Sequence, residues 1–229
     1  NRHRDVSLEE LAGAVWPADR PQSWNAALRI LFSRVRDTFR LVGLPADSLR
    51  SRSGGVRLTL PTSLRSDLEL AEMYCDTSLG DPDTILRNAR KALALLTSAP
   101  LDGIAGSWAD HVRAEAARIR IRALEIDAEG SLRAGEYARA TQSAQSVIAI
   151  DPFRENAYRI AMRGYMASGE RGQALAAAAR CRQALAEELG TAPSAETENL
   201  YLEILRSDEH STRVTVAAAT PSIERNAVR

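Results

Sequence analysis

The chain has 229 residues, enough for one large domain or two small ones. Its 30 basic and 30 acidic residues give a net charge of zero, which excludes a protein that binds polyanions over its whole surface. No run approaches the ~18–20 apolar residues of a membrane-spanning helix, and the sequence predicts a cytoplasmic protein.

The histidines and cysteines do not form a metal-binding pattern. His3, His111 and His210 are far apart, and neither Cys75 nor Cys181 has a CxxC partner. We therefore predict no metal site and no cofactor. Both cysteines lie in helical patterns and are predicted to be buried thiols in a reducing compartment.

The first predicted element is a short helix that follows Val6. Ser7 has the side chain of an N-cap, and Glu10 stands at the reciprocal position of a capping box. Pro17 is expected to end this helix.

A longer helix is predicted from Gln22 to Gly43, with Ser23 as its N-cap and Gly43 as its stop signal. Its apolar stripe consists of Leu28, Leu31, Phe32, Val35, Phe39 and Val42. The opposite stripe carries Arg29, Ser33, Arg36 and Arg40, with Arg34 toward its edge. Such a helix is either a core helix with a solvated face or one that lies in a DNA groove.

A β-hairpin is predicted next. Leu49, Val56, Leu58 and Leu60 mark two short strands, and the run 53–55, Ser-Gly-Gly, is typical of a hairpin turn. Residues 22–60 contain seven arginines and two aspartates, a net +5 that leaves −5 for the remainder. The order helix, connector, basic helix, basic hairpin is that of a winged helix-turn-helix, and its charge confines a nucleic-acid surface to this part.

The chain after Pro61 is predicted to be helical throughout. Helices are expected at residues 66–79, 84–96, 108–133, 137–150 and 195–205. Gly130 and Gly164 are 34 residues apart, as are the dipeptides at 135–136 and 169–170, both Gly-Glu. This is the tetratricopeptide period, in which small residues let two helices approach closely.

No enzyme site is predicted. The run 54–55, Gly-Gly, belongs to the hairpin turn, and Asp76, Asp81 and Asp83 are ordinary composition for helix ends. Trp16, Trp24 and Trp108 each border an apolar stripe, so we interpret them as packing residues.

Two stretches resemble known families. The order VSLEELAGAVWP, SRVRDTF, SRSGGVRL is similar to the OmpR-type winged helix. The segments DPFRENAY and ELGTAPSAETENLYLEIL resemble the bacterial transcriptional activator domain. Together they resemble the actinomycete antibiotic-regulatory-protein family of transcription activators, over about Val6 to Leu205.

This resemblance implies sequence-specific binding to direct repeats in promoter DNA and recruitment of RNA polymerase. It places Arg29, Ser33 and Arg34 against base edges and Arg52 in the minor groove. Phosphate contacts are expected from Arg36, Arg50 and Arg57, and polymerase contacts from Pro17, Asp19 and Arg20.

The expected fold class is mainly α, with a truncated winged helix-turn-helix followed by a tetratricopeptide-like α-helical repeat domain. The family's initial small sheet and first helix would precede the first residue of this sequence. We expect a DNA-binding domain at 1–61, an activator domain at 62–206 that could form a homodimer, and a flexible tail at 207–229. The alternative function is a protein-interaction module without DNA-binding activity.

Overall fold

The computed structural model describes residues 4–52, 54–61, 63–76, 80–98 and 100–218, with side chains as far as residue 207. The elements in chain order are β1 Asp5–Ser7, α1 Leu8–Val15, α2 Trp24–Leu41, β2 Leu49–Arg52, β3 Gly55–Leu58, α3 Asp67–Tyr74, α4 Pro82–Leu95, α5 Ser107–Arg133, α6 Tyr137–Ile150, α7 Glu155–Ala167, α8 Arg171–Leu189 and α9 Ala195–Ala218. The predicted fold class, mainly helical with a winged helix-turn-helix before helical repeats, is confirmed.

Two compact units divide the chain. Unit 1 comprises Asn1–Met73 with Leu95–Ile119, and unit 2 comprises Tyr74–Ala94 with Arg120–Arg229. Among the described residues, no helix has both the length and the apolar character needed to cross a membrane. The predicted domain limits at 61 and 206 stay predictions.

Unit 1 contains a three-stranded antiparallel sheet in the order β1-β3-β2. The hairpin of β2 and β3 was predicted, and Gly54 turns it with φ +81°, a left-handed value that favours glycine. Strand β1 was not predicted. It is three residues long and pairs with β3 through Val6 opposite Val56, so it depends on a partner fifty residues away.

The capping of α1 agrees with the sequence prediction in part. The Ser7 Oγ accepts a hydrogen bond from the Glu10 backbone N–H at 3.0 Å, as expected for an N-cap. The Glu10 carboxylate does not complete the predicted capping box. It accepts from the Arg4 guanidinium, with Nη1 and Oε2 3.0 Å apart, and this hydrogen bond lowers the pKa of Glu10.

Unit 2 holds the repeat. Helices α6, α7 and α8 pack around a core of small and branched side chains, consisting of Ala140, Ala144, Val147, Ala157, Ile160 and Ala161 at α6–α7, and Met162, Ala174, Ala177 and Ala178 at α7–α8. The glycines at 135 and 169 have the same φ of +77° and stand at the same place in each repeat. The 34-residue repeat is therefore structural.

Gly164 shows why the repeat uses a small residue between α6 and α7. A Cβ at this position would lie 2.6 Å from the Cγ2 of Thr141. That methyl group cannot easily move, because the Thr141 Oγ1 donates to the carbonyl oxygens of Tyr137 and Ala138. At Gly130 the corresponding contact is the Cδ1 of Leu86, the end of a flexible side chain, at 2.8 Å.

We expect Gly164→Ala to lower the free energy of unfolding by about 1–2 kcal/mol, because overpacking outweighs the roughly 1 kcal/mol that alanine gains in a helix. Thr141→Ser removes the obstructing methyl group, so the double variant should recover most of this loss. Denaturant unfolding of both variants and of Gly130→Ala measures the effect. Equal stabilities for the two glycine variants would contradict the packing described here.

Both cysteines are fully buried in unit 2, which confirms the predicted burial. Burial raises the pKa of Cys181 to about 11. The thiolate, which is the reactive form, is therefore scarce at pH 8. We expect Ellman's reagent to react with Cys75 and Cys181 only after denaturation. Rapid reaction of the native protein would contradict this expectation.

Several predicted helix ends and two predicted packing residues differ from the structure. Helix α3 ends at Tyr74, before the predicted end at residue 79. Val42 follows the end of α2 at Leu41 and is 66% exposed, and Val35 is 38% exposed, so both are on the surface although they were predicted to pack. Helix α9 continues to Ala218, beyond the predicted end at Leu205. The predicted tail lies in part outside the described residues, and its flexibility stays a prediction.

Candidate nucleic-acid interface

Helix α2 is anchored to unit 1 by its apolar side. Leu28 is 1% exposed, and Leu31, Phe32 and Phe39 are half-buried on the same side. Ser23 occupies the predicted N-cap position, but its side chain accepts no hydrogen bond there; the Trp24 N–H donates to the Pro21 carbonyl instead. These contacts hold the helix and leave its other side to solvent.

The predicted base-reading residues lie on that solvent side. Arg29, Ser33 and Arg34 are all exposed. Within the described part of the chain, neither the Arg29 nor the Arg34 guanidinium has a hydrogen-bond or ion-pair partner. At 3.6 residues per turn, Arg29 and Arg34 point about 140° apart around the helix axis, with Ser33 between them. The exposed face is therefore broad.

One residue of this face, Ile30, was not predicted from the sequence. Ile30 is 58% exposed and lies one turn before Arg34. Its position outside the apolar stripe was the available signal, because an apolar residue there cannot reach the core. An exposed isoleucine beside arginines can contact the methyl group of thymine.

The hairpin places Arg52 at the end of β2, next to the turn. Arg52 pairs in the sheet with Gly55 and is exposed, without a side-chain partner among the described residues. Gly55 allows β1 to approach β3, since a Cβ there would lie 2.8 Å from the Val6 carbonyl oxygen. The close approach of β1 thus holds β3, the strand that pairs with Arg52, in place.

The three arginines predicted to contact phosphate all have partners in the protein. Arg57 binds the Asp5 carboxylate with two hydrogen bonds of 2.8 and 3.1 Å. The Arg50 Nη2 lies 2.6 Å from the Asp47 carboxylate.

Arg36 is different, because it is half-buried and binds neutral groups of the hairpin. Its Nε donates to the Leu49 carbonyl oxygen at 3.1 Å, and its Nη2 donates to the Ser51 Oγ at 3.0 Å.

The predicted polymerase-contact loop joins α1 to α2. Pro17, Asp19 and Arg20 are all exposed. The Arg20 guanidinium lies 3.8 Å from the centroid of the Trp24 ring and 3.8 Å from the Glu9 carboxylate. Stacking on Trp24 connects the loop to the first residue of α2. The three tryptophans are half-buried or, for Trp108, 40% exposed.

Known proteins resemble this chain over most of its length. It is 32% identical over 215 residues to the regulatory protein AfsR of Streptomyces griseus, covering 92% of this chain and 22% of AfsR. It is 29% identical over 218 residues to the regulatory protein DnrI of Streptomyces peucetius, covering 89% and 79%. The transcriptional regulatory protein MoaR1 of Mycobacterium tuberculosis is 25% identical over 220 residues, covering 90% and 68%. The chain thus spans about a fifth of AfsR.

The fold also has a counterpart among solved structures. The structure of Mycobacterium tuberculosis EmbR in complex with a low-affinity phosphopeptide matches with a TM-score of 0.74 at 20% identity, over 95% of this chain and 60% of EmbR. The bacterial transcriptional activator domain matches residues 70–205, which confirms the resemblance inferred for this part. The chain belongs to the bacterial transcriptional activator domain family.

Proposed function

We propose that this chain is a sequence-specific DNA-binding transcriptional regulator, an activator that recruits RNA polymerase at promoters. The observation that carries the proposal is a pair of neighbouring basic elements in unit 1. Helix α2 exposes Arg29 and Arg34 without protein partners in the described chain, and the adjoining hairpin exposes Arg52 in the same way. The names of the relatives AfsR, DnrI and MoaR1 as regulatory proteins support this proposal.

The N-terminal elements are assigned to the OmpR-type winged helix within this proposal. This assignment is supported by the order of helix α1, helix α2 and the hairpin of β2 and β3, which is helix, connector, basic helix, basic hairpin. Helix α2 is then the recognition helix in the major groove, and the hairpin is the wing.

Base reading is assigned to Arg29, Ser33 and Arg34. Arginine donates two parallel hydrogen bonds to the O6 and N7 of guanine, and the serine hydroxyl donates to or accepts from several bases. Arg52 is assigned to the minor groove, whose negative potential is strongest where A·T-rich sequence narrows it.

Phosphate binding is assigned to Arg50 and Arg57, which exchange their carboxylate partners for DNA. The Arg50 and Asp47 side chains are 58% and 63% exposed, and those of Arg57 and Asp5 are 36% and 45% exposed. Exposed ion pairs contribute little to stability, so a DNA phosphate can replace the carboxylate at small cost.

Protein contacts complete the proposal. The loop with Pro17, Asp19 and Arg20 is assigned to RNA polymerase, and the repeats of unit 2 to self-association on direct repeats of the operator. Sedimentation of the chain with and without operator DNA tests the second assignment, and Asp19→Ala in a reconstituted transcription assay tests the first.

A mobility-shift titration against duplex DNA at several salt concentrations tests the central assignment. We expect binding that weakens at least roughly tenfold between about 50 and 200 mM salt, because each phosphate contact releases counterions. The duplex should be one enriched from a random pool, with a scrambled duplex of equal length as control. Equal affinity for both duplexes, or no binding at low salt, would contradict the proposal.

A further inference from the structure

We propose that Arg36 is a positioning residue that locks the wing onto the recognition helix, and that it acts on DNA reading through this lock. The inference rests on the proposed function. It replaces the expected phosphate contact of Arg36 with a contact inside the protein.

The geometry of Arg36 connects two elements at two points. The guanidinium leaves α2 and donates to the Leu49 carbonyl at 3.1 Å and to the Ser51 Oγ at 3.0 Å. Both acceptors lie on β2, thirteen and fifteen residues along the chain. Among the described residues, α2 and β2 share no side-chain hydrogen bonds other than these two.

Strand β2 needs such a partner because it is an edge strand. The sheet order β1-β3-β2 leaves one side of β2 without a neighbouring strand. The Ser48 carbonyl accepts from the Thr59 N–H, toward β3, whereas the Leu49 carbonyl accepts from Arg36. The arginine therefore satisfies an edge acceptor that another strand would otherwise satisfy.

The lock lies between the proposed reading residues. Arg36 is two residues from Arg34 on α2, and Ser51 is directly before Arg52 on β2. Between α2 and β2 the chain passes through a short 3-10 turn at Ala46–Ser48, in which Ser48, directly before β2, is buried, while Val42 after α2 is 66% exposed. Fixing Ser51 against Arg36 therefore fixes the separation between Arg34 and Arg52, on which simultaneous reading of two grooves depends.

The chemistry of the acceptors distinguishes Arg36 from the other arginines of the wing. Arg36 donates to a carbonyl and a hydroxyl, which are neutral acceptors, whereas Arg50 and Arg57 face carboxylates. A lysine at position 36 would keep the charge and lose the fork of two donors. The Arg36→Lys variant therefore distinguishes the two roles, because a lock needs the two donors of the guanidinium whereas a phosphate contact needs mainly the positive charge.

The test compares Arg36→Lys, Arg36→Ala, Ser51→Ala and Arg50→Ala with the wild type. Each protein is titrated with the enriched duplex and with the scrambled duplex over a salt series. For Arg36→Lys we expect about a tenfold loss on the enriched duplex, little loss on the scrambled duplex and an unchanged salt slope. Ser51→Ala should lose affinity in the same selective way, to a smaller extent.

Arg50→Ala serves as the phosphate-contact reference. It should weaken both duplexes by a similar factor and reduce the salt slope by about one. If Arg36→Lys binds the enriched duplex as the wild type does, the lock is wrong. If Arg36→Ala weakens both duplexes equally and reduces the slope, Arg36 is a phosphate contact and the inference is overturned.

Amide hydrogen exchange without DNA examines the lock separately. We expect Arg36→Lys to raise exchange across residues 49–58 and to leave α6–α8 unchanged. Unchanged exchange in the hairpin overturns the inference whatever the DNA result. If the wild type does not prefer the enriched duplex, the proposed function is overturned, and so is the role of Arg36 in DNA reading. This holds even if hydrogen exchange shows that Arg36 holds the hairpin.

Discussion

The Asp127→Ala variant is expected to lose about 3 kcal/mol of the free energy of unfolding, because it removes the centre of a buried ionic network in unit 2. The Asp127 side chain is fully buried in α5. Its carboxylate accepts from the Arg90 Nε at 3.0 Å, the Arg139 Nε at 3.0 and 3.1 Å, and the Ser143 Oγ at 2.5 Å. One carboxylate thus joins α4, α5 and α6.

The size of this loss depends on the polar groups that the substitution leaves without an acceptor. The Ser143 side chain loses its acceptor in a buried position, which costs about 1–3 kcal/mol. Arg90 and Arg139 are 31% and 45% exposed, so their guanidinium groups can turn to water and reduce the loss. We therefore expect the lower end of the 3–5 kcal/mol typical of a broken buried pair.

Denaturant unfolding followed by circular dichroism measures this effect. Asp127→Asn keeps the volume and one acceptor oxygen, so its loss should be smaller than that of Asp127→Ala. Glu187→Gln is the matched control. Glu187 is an exposed acid whose described partner is Gln183, and its substitution should change stability by less than about 0.5 kcal/mol. A similarly small change for Asp127→Ala would mean that the network does not stabilise unit 2.

The Arg34→Ala and Arg52→Ala variants are each expected to bind the enriched duplex about 10- to 100-fold more weakly than the wild type. For Arg34, a bidentate arginine–guanine contact discriminates by about 1–3 kcal/mol, and about 1.4 kcal/mol corresponds to a factor of ten. For Arg52, the substitution removes the attraction of the guanidinium to the negative potential of a narrow minor groove. Neither side chain has a partner among the described residues, so the substitutions should leave the fold intact.

The two variants should lose the sequence preference at different positions of the binding site. Arg34→Ala should relax the preference at one guanine in the major groove, whereas Arg52→Ala should relax a preference for A·T-rich sequence beneath the wing. Arg163→Ala is the control, since Arg163 is an exposed arginine of α7 in unit 2. A loss for Arg163→Ala as large as for the other two would indicate a general charge effect.

Local patterns explain the parts of the fold that could be predicted. The bounds of α6 agree with the predicted range 137–150, which was inferred from its apolar spacing. The Gly164 position could be inferred because the 34-residue period repeats the same packing need. The first feature depends on residues close in sequence, and the second on a fixed period that is visible in the sequence itself.

The features that could not be predicted depend on distant partners. Asp127 is an acid within a helical pattern, and its burial makes sense only with Arg90, 37 residues earlier, and Arg139 from the next helix. Strand β1 is recognisable only once β3 is in place. In the candidate site, charge spacing indicated the exposed arginines, but the sequence contained no signal that Arg36 would bind the wing.

The most direct measurement is a selection of bound sequences from a random pool of duplex DNA, run in parallel with the wild type and the Arg34→Ala,Arg52→Ala double variant. The wild type is expected to enrich one motif with a guanine contact beside A·T-rich sequence, and the double variant to enrich none. Enrichment of the same motif by both proteins, or of no motif by the wild type, would contradict the account of helix α2 and its wing as the DNA-reading surface.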